Sequence, residues 1–433
     1  MLIHVCRRWR DIVFASRLRL NLRLYCNGSK PVKEMLDIWP PLPIVIECYH
    51  GSEQVADNII AALEHNDRVR EISMDIEEEV SRSLLERFAR AMQKPFPQLT
   101  DLKLQLADET ALVLPKTLLD GSATRLRKCV LDYLPFASLR KLLFSASRLV
   151  HLRLWDIPHS GYISPEEMVT CLSAATSLES LRLGFQPHRS RPNHATRRLP
   201  PLMRTILPAL TDFVFCGVSE YSEDFISRVD APLLDNVDIM LFHQLNFDVS
   251  QLHQFIGRTK ALSALKIANV VLDDGYAGVE LSDQIVVRSR LKIGQSLWRN
   301  KSDWQLSFLA KACSSLSPTL STFETLSVCE SQNPLPRQGW EDDIENSQWL
   351  EMFHPFTSVK NLYLSKKLAT RVLPALQQLA GERVTHVLPM LQKVCLEGLQ
   401  PLGPAHEGIG QQLVAARQLL NQPVTVEPWD RLE

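Results

Sequence analysis

No two of the nine cysteines lie closer than 16 residues, so neither a Cys-x-x-Cys redox pair nor a zinc knuckle can be built from neighbours. Scattered thiols of odd number fit packing as small hydrophobes in a reducing compartment, and the cytosol or nucleus is the expected location. Glycine is scarce, 16 against 26 prolines. No phosphate loop of the G-x-x-x-x-G-K-[ST] form and no G-x-S-x-G elbow occurs. Gly408-Ile409-Gly410 begins like a dinucleotide fingerprint, but lacks the third glycine and a preceding strand. Among twelve histidines there is no H-E-x-x-H, and His188 and His194 sit in a stretch rich in arginine and proline. No nucleophile is placed beside a base. The expectation is a protein with no catalytic residues, no metal site and no cofactor.

Charge of one sign is also missing: 48 Lys and Arg balance 49 Asp and Glu, so no net field draws nucleic acid or an anionic membrane. No run of 18 or more apolar residues is present, and the start, MLIHVCRRWRDIV, puts its charges after a very short apolar stretch, the reverse of a secretory signal. Hydrophobic residues at 45% and charged residues at 22% are those of a folded chain. At roughly 100–200 residues per domain, 433 residues suggest several domains, unless repeats make one long body.

Repeats are what the sequence does contain. A unit of the form L-x-x-L-x-L, with other apolar residues tolerated at its anchors, recurs eleven times. It is found at Val69-Ile72-Met74, Leu99-Leu102-Leu104, Leu126-Cys129-Leu131, Leu149-Leu152-Leu154 and Leu178-Leu181-Leu183. It continues at Leu210-Phe213-Phe215, Leu234-Val237-Ile239, Leu262-Leu265-Ile267, Phe323-Leu326-Val328, Val359-Leu362-Leu364 and Leu391-Val394-Leu396. The spacing is 23 to 36 residues, apart from one interval of 61 that calls for a degenerate unit near Arg290–Ile293. Anchors at positions 1, 4 and 6 turn inward around a short strand, and a helix brings the chain to the next strand. Helical periodicity over Glu53–His65, Ser81–Met92, Pro165–Ala175, Glu223–Val229 and Val249–Arg258 supplies such helices. One unit cannot bury its own leucines, so neighbours must stack. The pattern resembles an irregular leucine-rich repeat array. The expected fold class is α/β, a leucine-rich-repeat-like solenoid with a curved parallel sheet and helices on its convex side.

The N-terminal segment differs. Val5, Cys6, Trp9, Ile12 and Val13 share one stripe of an amphipathic helix. Leucines alternating from Leu18 to Leu24 predict a strand, Lys30–Trp39 a short helix and Ile44–Cys48 a second strand. The run Val5-Cys6-Arg7-Arg8-Trp9-Arg10-Asp11-Ile12-Val13 resembles the last helix of an F-box, and the strand after it is similar to the segment C-terminal to the F-box in many fungal F-box proteins. That resemblance implies a partial F-box over residues 1–17, the solenoid over 18–400 with loops near 186–201 and 330–345, and a linker and tail over 401–433. It further implies a substrate receptor of an SCF (Skp–cullin–F-box) ubiquitin ligase, with Val5, Cys6, Trp9, Ile12 and Val13 meeting the adaptor subunit. A complete F-box carries further residues ahead of this helix, and Met1 stands almost upon it, so an adaptor contact requires that missing portion. The other reading is a stand-alone repeat scaffold in which the Trp9 helix caps the first repeat.

Within each strand unit, positions 3, 5 and 7 point away from the anchors. Across consecutive repeats these are Asp101, Lys103 and Gln105; Lys128, Val130 and Asp132; His151, Arg153 and Trp155; Ser180, Arg182 and Gly184. Lys103, Lys128, Arg153 and Arg182 read as a basic stripe beside His151 and an exposed Trp155, residue types enriched at binding hot spots. The expected client is a protein with an acidic or phosphorylated segment, held by bidentate contacts from Arg153 and Arg182. Neither nucleic acid nor membrane is an expected partner.

Overall fold

The computed structural model describes residues 20–430 apart from 27–30, 50–52, 77–81, 107–116, 122, 135–138, 188–203, 243–246, 248, 274, 285–288, 297–302, 331–345, 378–385, 399–413, 416 and 419–422. The helix expected at Val5–Val13, and with it the partial F-box, lies outside the described residues, as does most of each expected loop. The chain falls into two compact units, the first within Met1–Asp212 together with Arg228–Ala231, the second of Phe213–Ser227 and Pro232–Glu433.

In the first unit seven strands follow in chain order across the sheet: β1 (Leu22–Tyr25), β2 (Ile44–Cys48), β3 (Val69–Ile76), β4 (Asp101–Leu106), β5 (Lys128–Asp132), β6 (His151–Ile157) and β7 (Ser180–Phe185). Every neighbouring pair is parallel. Register follows the anchors. Leu24, Ile46, Ile72, Leu102, Cys129, Leu152 and Leu181 form one line across the sheet, and Cys48, Met74, Leu104, Leu131, Leu154 and Leu183 the next. All are buried. A burial of this kind contributes about 1.5–3 kcal/mol for each large aliphatic side chain, and a one-residue slip would carry a whole line to the opposite face. A short parallel pair, β8 (Thr205–Ile206) with β10 (Val229–Asp230), completes the unit.

The helices between these strands form where the sequence provides an apolar stripe and a start signal. In Glu53–Leu63 the buried side chains Val55, Ala56, Ile59, Ala62 and Leu63 repeat with helical spacing. Helix Pro165–Leu172 begins with a capping box: the Ser164 hydroxyl accepts from the Glu167 N–H, the Glu167 carboxylate accepts from the Ser164 N–H, and Pro165 occupies the first turn. Met168, Val169, Cys171 and Leu172 then face inward.

The second unit holds β9 (Asp212–Gly217) from Phe213 onward, β11 (Asn236–Leu241), β12 (Ile267–Asp273), β13 (Tyr276–Ser282), β14 (Leu291–Ser296), β15 (Thr325–Glu330), β16 (Asn361–Leu364), β17 (Lys393–Glu397) and β18 (Thr425–Trp429). Their spatial order is β9-β11-β14-β13-β12-β15-β16-β17-β18. The sheet is mostly parallel, as expected, and departs from that at one strand. β13 runs antiparallel to both β12 and β14, so a three-strand meander stands within the 61-residue interval. β14 lies where the degenerate unit was expected and aligns Leu291 and Ile293 with Val237 and Ile239 of β11.

The triplet Leu262-Leu265-Ile267 is also corrected. The residues aligned with Leu326 and Val328 are Ala268 and Val270, so the repeat frame is shifted by three. Ile267, Asn269 and Val271 on the other face are buried as well, which erases the alternation that tells the faces of a strand apart. Tyr276 opens the neighbouring strand β13. Its ring lies over Gly278 and Gly294, where an added Cβ would collide with it.

At the far side of this unit β18 runs parallel to β17. The Thr425 N–H donates to the Gln392 carbonyl and the Gly398 N–H to the Trp429 carbonyl, so residues 425, 427 and 429 bond inward, while Val426 and Pro428 present their backbones to the outer side. Arg417, buried at 1% exposure, donates to the Val387 and Leu388 carbonyls and fastens the segment leading into β18.

Candidate functional site

The strand residues between the anchors of the first unit make three rows on the open face. The middle row reads Tyr25, Glu47, Ser73, Lys103, Val130, Arg153 and Arg182, one residue per strand. Beside it, toward the strand ends, run Asp75, Gln105, Asp132 and Trp155. The third row holds Glu71, Asp101, Lys128, His151 and Ser180. All six residues expected to meet a client, Lys103, Lys128, His151, Arg153, Trp155 and Arg182, are therefore brought onto one face.

The cations do not stand alone there. Lys103 Nζ lies 2.7 Å from Asp75 of the preceding strand, each side chain one-third exposed. Arg153 reaches Asp132 of the preceding strand with two nitrogens, Nε to Oδ1 and Nη2 to Oδ2, each at 3.2 Å. Asp132 is buried and also accepts from the Gln105 amide. Arg182 Nη2 lies 3.3 Å from Asp212, which accepts in addition from the Ser180 hydroxyl at 2.9 Å. Arg23 pairs with Glu47 at 2.8 Å. For Lys103 and Arg153 one diagonal step recurs: a carboxylate at a strand end is met by a cation two residues earlier on the next strand. Three members of the stripe read as basic, Lys103, Arg153 and Arg182, are thus matched with carboxylates. Lys128 and His151 are exposed in the third row.

Trp155 owes its position to two local features. Gly184 on β7 has no side chain, and a Cβ there would stand 2.7 Å from the indole carbons, so the ring rests directly on the neighbouring strand. The Arg153 guanidinium carbon sits 5.3 Å from the ring centroid, a cation–π distance. Beyond Leu154 the register with β7 shifts by one residue, a bulge that re-aims the strand end. Asp156 within it adopts φ +50°, and Tyr133, at the matching exit of β5, adopts φ +61°. A left-handed conformation costs a non-glycine residue roughly 1–2 kcal/mol. Tyr133 hydrogen-bonds the Asp156 carboxylate. Burial, helped by the nearby charge of Asp132, pushes the Asp156 carboxyl up from its ordinary range. Tyr162, nearly half exposed, packs against Phe185 at 6.0 Å.

The residues that sequence reasoning missed are the partners. Asp75 and Asp212 become visible only once register is known, because the pairing runs between strands. Asp156 follows from the bulge. The adjacency of Trp155 and Gly184 had a legible signal, since both occupy the seventh position of consecutive repeats. Among the described residues no group of three or more His, Cys, Asp or Glu side chains is placed to hold a metal ion, and no helix is long and apolar enough to cross a membrane.

No protein-family model matches the chain, and no curated protein does. Among solved structures the chain is similar to the leucine-rich repeat-containing protein LegL7 from Legionella pneumophila. The identity is 11%, the match covers 91% of this chain and 97% of that one, and the TM-score is 0.27. So loose a superposition carries no weight for fold or function, which rest on the strand registers.

Proposed function

We propose that the protein is a non-catalytic interaction module that captures a client protein on the open face of its first unit, through Lys103, Lys128, His151, Arg153, Trp155 and Arg182. The observation that carries this reading is Trp155, resting on Gly184 beside Arg153 on a face where Lys103, Arg153 and Arg182 are held by ion pairs to neighbouring strands. Aromatic and arginine side chains on a pre-ordered surface are what hot spots are made of, since little ordering entropy is left to lose on binding. The test compares the proteins retained by the immobilised chain with those retained by Arg153→Glu. An unchanged set removes the face from the reading.

The finer proposal is that this capture serves an SCF ubiquitin ligase, with Val5, Cys6, Trp9, Ile12 and Val13 meeting the adaptor. It is supported by the likeness of residues 5–13 to the last F-box helix. Co-purification with the adaptor, abolished by Trp9→Ala, is the expected result. Failure to co-purify leaves the alternative, a leucine-rich-repeat scaffold without a ligase link.

A further inference from the structure

We propose that an acidic segment of the client, aspartates or glutamates in an extended chain, docks on a basic strip at the starts of β5 and β6, made by Arg125, Arg127, Lys128, Arg148 and His151. The inference rests on the client-capture reading. It names the client's chemistry and the part of the first unit that meets it.

Two consecutive coils build the strip. Their first anchors, Leu126 and Leu149, are fully buried. Arg125 and Arg148 stand immediately before them, Arg127 follows Leu126, and Lys128 and His151 are register partners on β5 and β6. All five basic residues are exposed. The backbone beneath them is fixed. The Thr100 carbonyl accepts from the Arg127 and Lys128 N–H groups, and the Arg127 carbonyl from those of Val150 and His151. Neighbouring strands lie about 4.8 Å apart, so the five side chains share a surface two coils wide.

The neighbours across the strands set this strip apart. At strand starts of the second unit, cations meet carboxylates: Arg290 pairs with Asp235, Lys360 with Glu324 and Lys393 with Glu427. Here Arg127 is flanked by Thr100 and Val150, and Arg125 and Arg148 hold the same place in successive coils. Arg125 hydrogen-bonds the Gln98 amide oxygen. Lys128 stands in register between Asp101 and His151, and Asp101 accepts from the Thr100 hydroxyl at 2.7 Å. Asp101 and Glu179 thus border the strip on its two sides, and its middle is cationic. Like charges on adjacent strands weaken the folded unit slightly, and an acidic ligand would relieve that. On the middle row an acidic client would instead have to displace Asp75, Asp132 or Asp212 from Lys103, Arg153 or Arg182. Lys128 and His151 join the strip to the capture face. Guanidinium groups donate to carboxylates with two nitrogens, and cations spread over two coils suit a row of carboxylates better than one phosphate.

The experiment uses the whole chain and a displayed library of random linear peptides, with the affinities of enriched peptides read by fluorescence anisotropy. Enriched peptides should carry more than one Asp or Glu and should bind more weakly as salt is raised. Affinity should fall about threefold in Arg127→Gln and in Arg148→Gln, and about tenfold in the double variant, the scale of exposed ion pairs. Arg127→Lys and Arg148→Lys keep the charge and should lose less, so the test does not depend on a variant that unfolds. Acidic peptides bound equally by the double variant overturn the inference; if Arg153→Glu still releases them, the capture face stands without the strip. Enriched peptides lacking acidic residues overturn it too. So does a phosphoserine peptide without other acids that binds the same arginines more tightly, or a short single-stranded RNA that displaces the acidic peptides. Enrichment of no peptide also overturns it, and the proteins retained by wild type and by Arg153→Glu then judge the capture face separately.

Discussion

Replacing Glu223 should unfasten a helix that has no cap of its own. Helix Ser250–Arg258 starts after Val249, whose side chain cannot accept a hydrogen bond. Its first N–H groups are instead met from the preceding helix, Ser219–Ser227. The Glu223 carboxylate, 3% exposed, accepts from the Gln251 N–H at 2.5 Å and the Leu252 N–H at 3.1 Å. Losing an N-cap acceptor costs about 1–2 kcal/mol, and a partly buried negative charge at a helix start contributes up to about 2 kcal/mol more. Leaving the buried Leu252 N–H unpaired costs about 1–3 kcal/mol. These terms overlap, so Glu223→Ala is expected to lose about 2–4 kcal/mol overall. Glu223→Gln keeps one acceptor without the charge and should lose about half of that. For a unit of roughly 200 residues the alanine variant should melt about 4–16 °C lower. The measurement is urea and thermal unfolding followed by circular dichroism under reducing conditions, together with hydrogen exchange at the Gln251 and Leu252 amides. If the alanine variant stays within about 0.5 kcal/mol of wild type, or both amides keep their protection, the cross-helix cap is not what holds this helix.

Other perturbations probe the face directly. Gly184→Val places a Cβ where the indole carbons of Trp155 now lie 2.7 Å away, so the ring must lift. The expected cost is about 1–3 kcal/mol, with a shift of the Trp155 indole N–H resonance; an unmoved resonance contradicts the packing. In a double-mutant cycle, Arg153→Met should cost more than Asp132→Asn. Removing the arginine strands a buried carboxylate, whereas Arg153, 34% exposed, can turn to water. Their coupling, discounted for that exposure, should be about 1 kcal/mol, and additive losses would dissolve the pair. Burial, with Cys48 nearby, pushes the Cys26 thiol up to about 12, and burial alone does the same for Cys129. Among the described cysteines, iodoacetamide at mildly alkaline pH should therefore modify the half-buried Cys216 first and spare Cys26 and Cys129 until denaturant is added, as peptide mass spectrometry would read.

How far such features could be read without coordinates differs between the two units. In the first, most strands are buried mainly on one side, Val45 and Val130 being exceptions, so apolar residues at every second position give the register directly: Leu102, Leu152 and Leu181 align as their triplets imply. In the second, Ile267 to Leu272 are buried on both faces, and the apolar run carries no face information. The reversal into β13 did have a local mark, the Asp274-Gly275 pair between two apolar runs, with Gly275 at φ +79°. For the site, position counting places the outward residues, because alternation is a property of one strand. Ion pairing is a property of two, set by the diagonal between Asp132 and Arg153 or between Asp75 and Lys103, and no spacing within a repeat reveals it.

Pro428 gives the outermost strand a meaning beyond its own pairing. A ladder of identical coils has no inherent reason to stop, since each strand exposes a fresh row of donors and acceptors to the next chain that drifts by. On β18 one of the two outward-facing positions has no amide hydrogen to offer. Among the described strands β18 thus makes a blunted border, and Pro428→Val should turn it into a nucleus for edge-to-edge polymerisation, visible as rising light scatter.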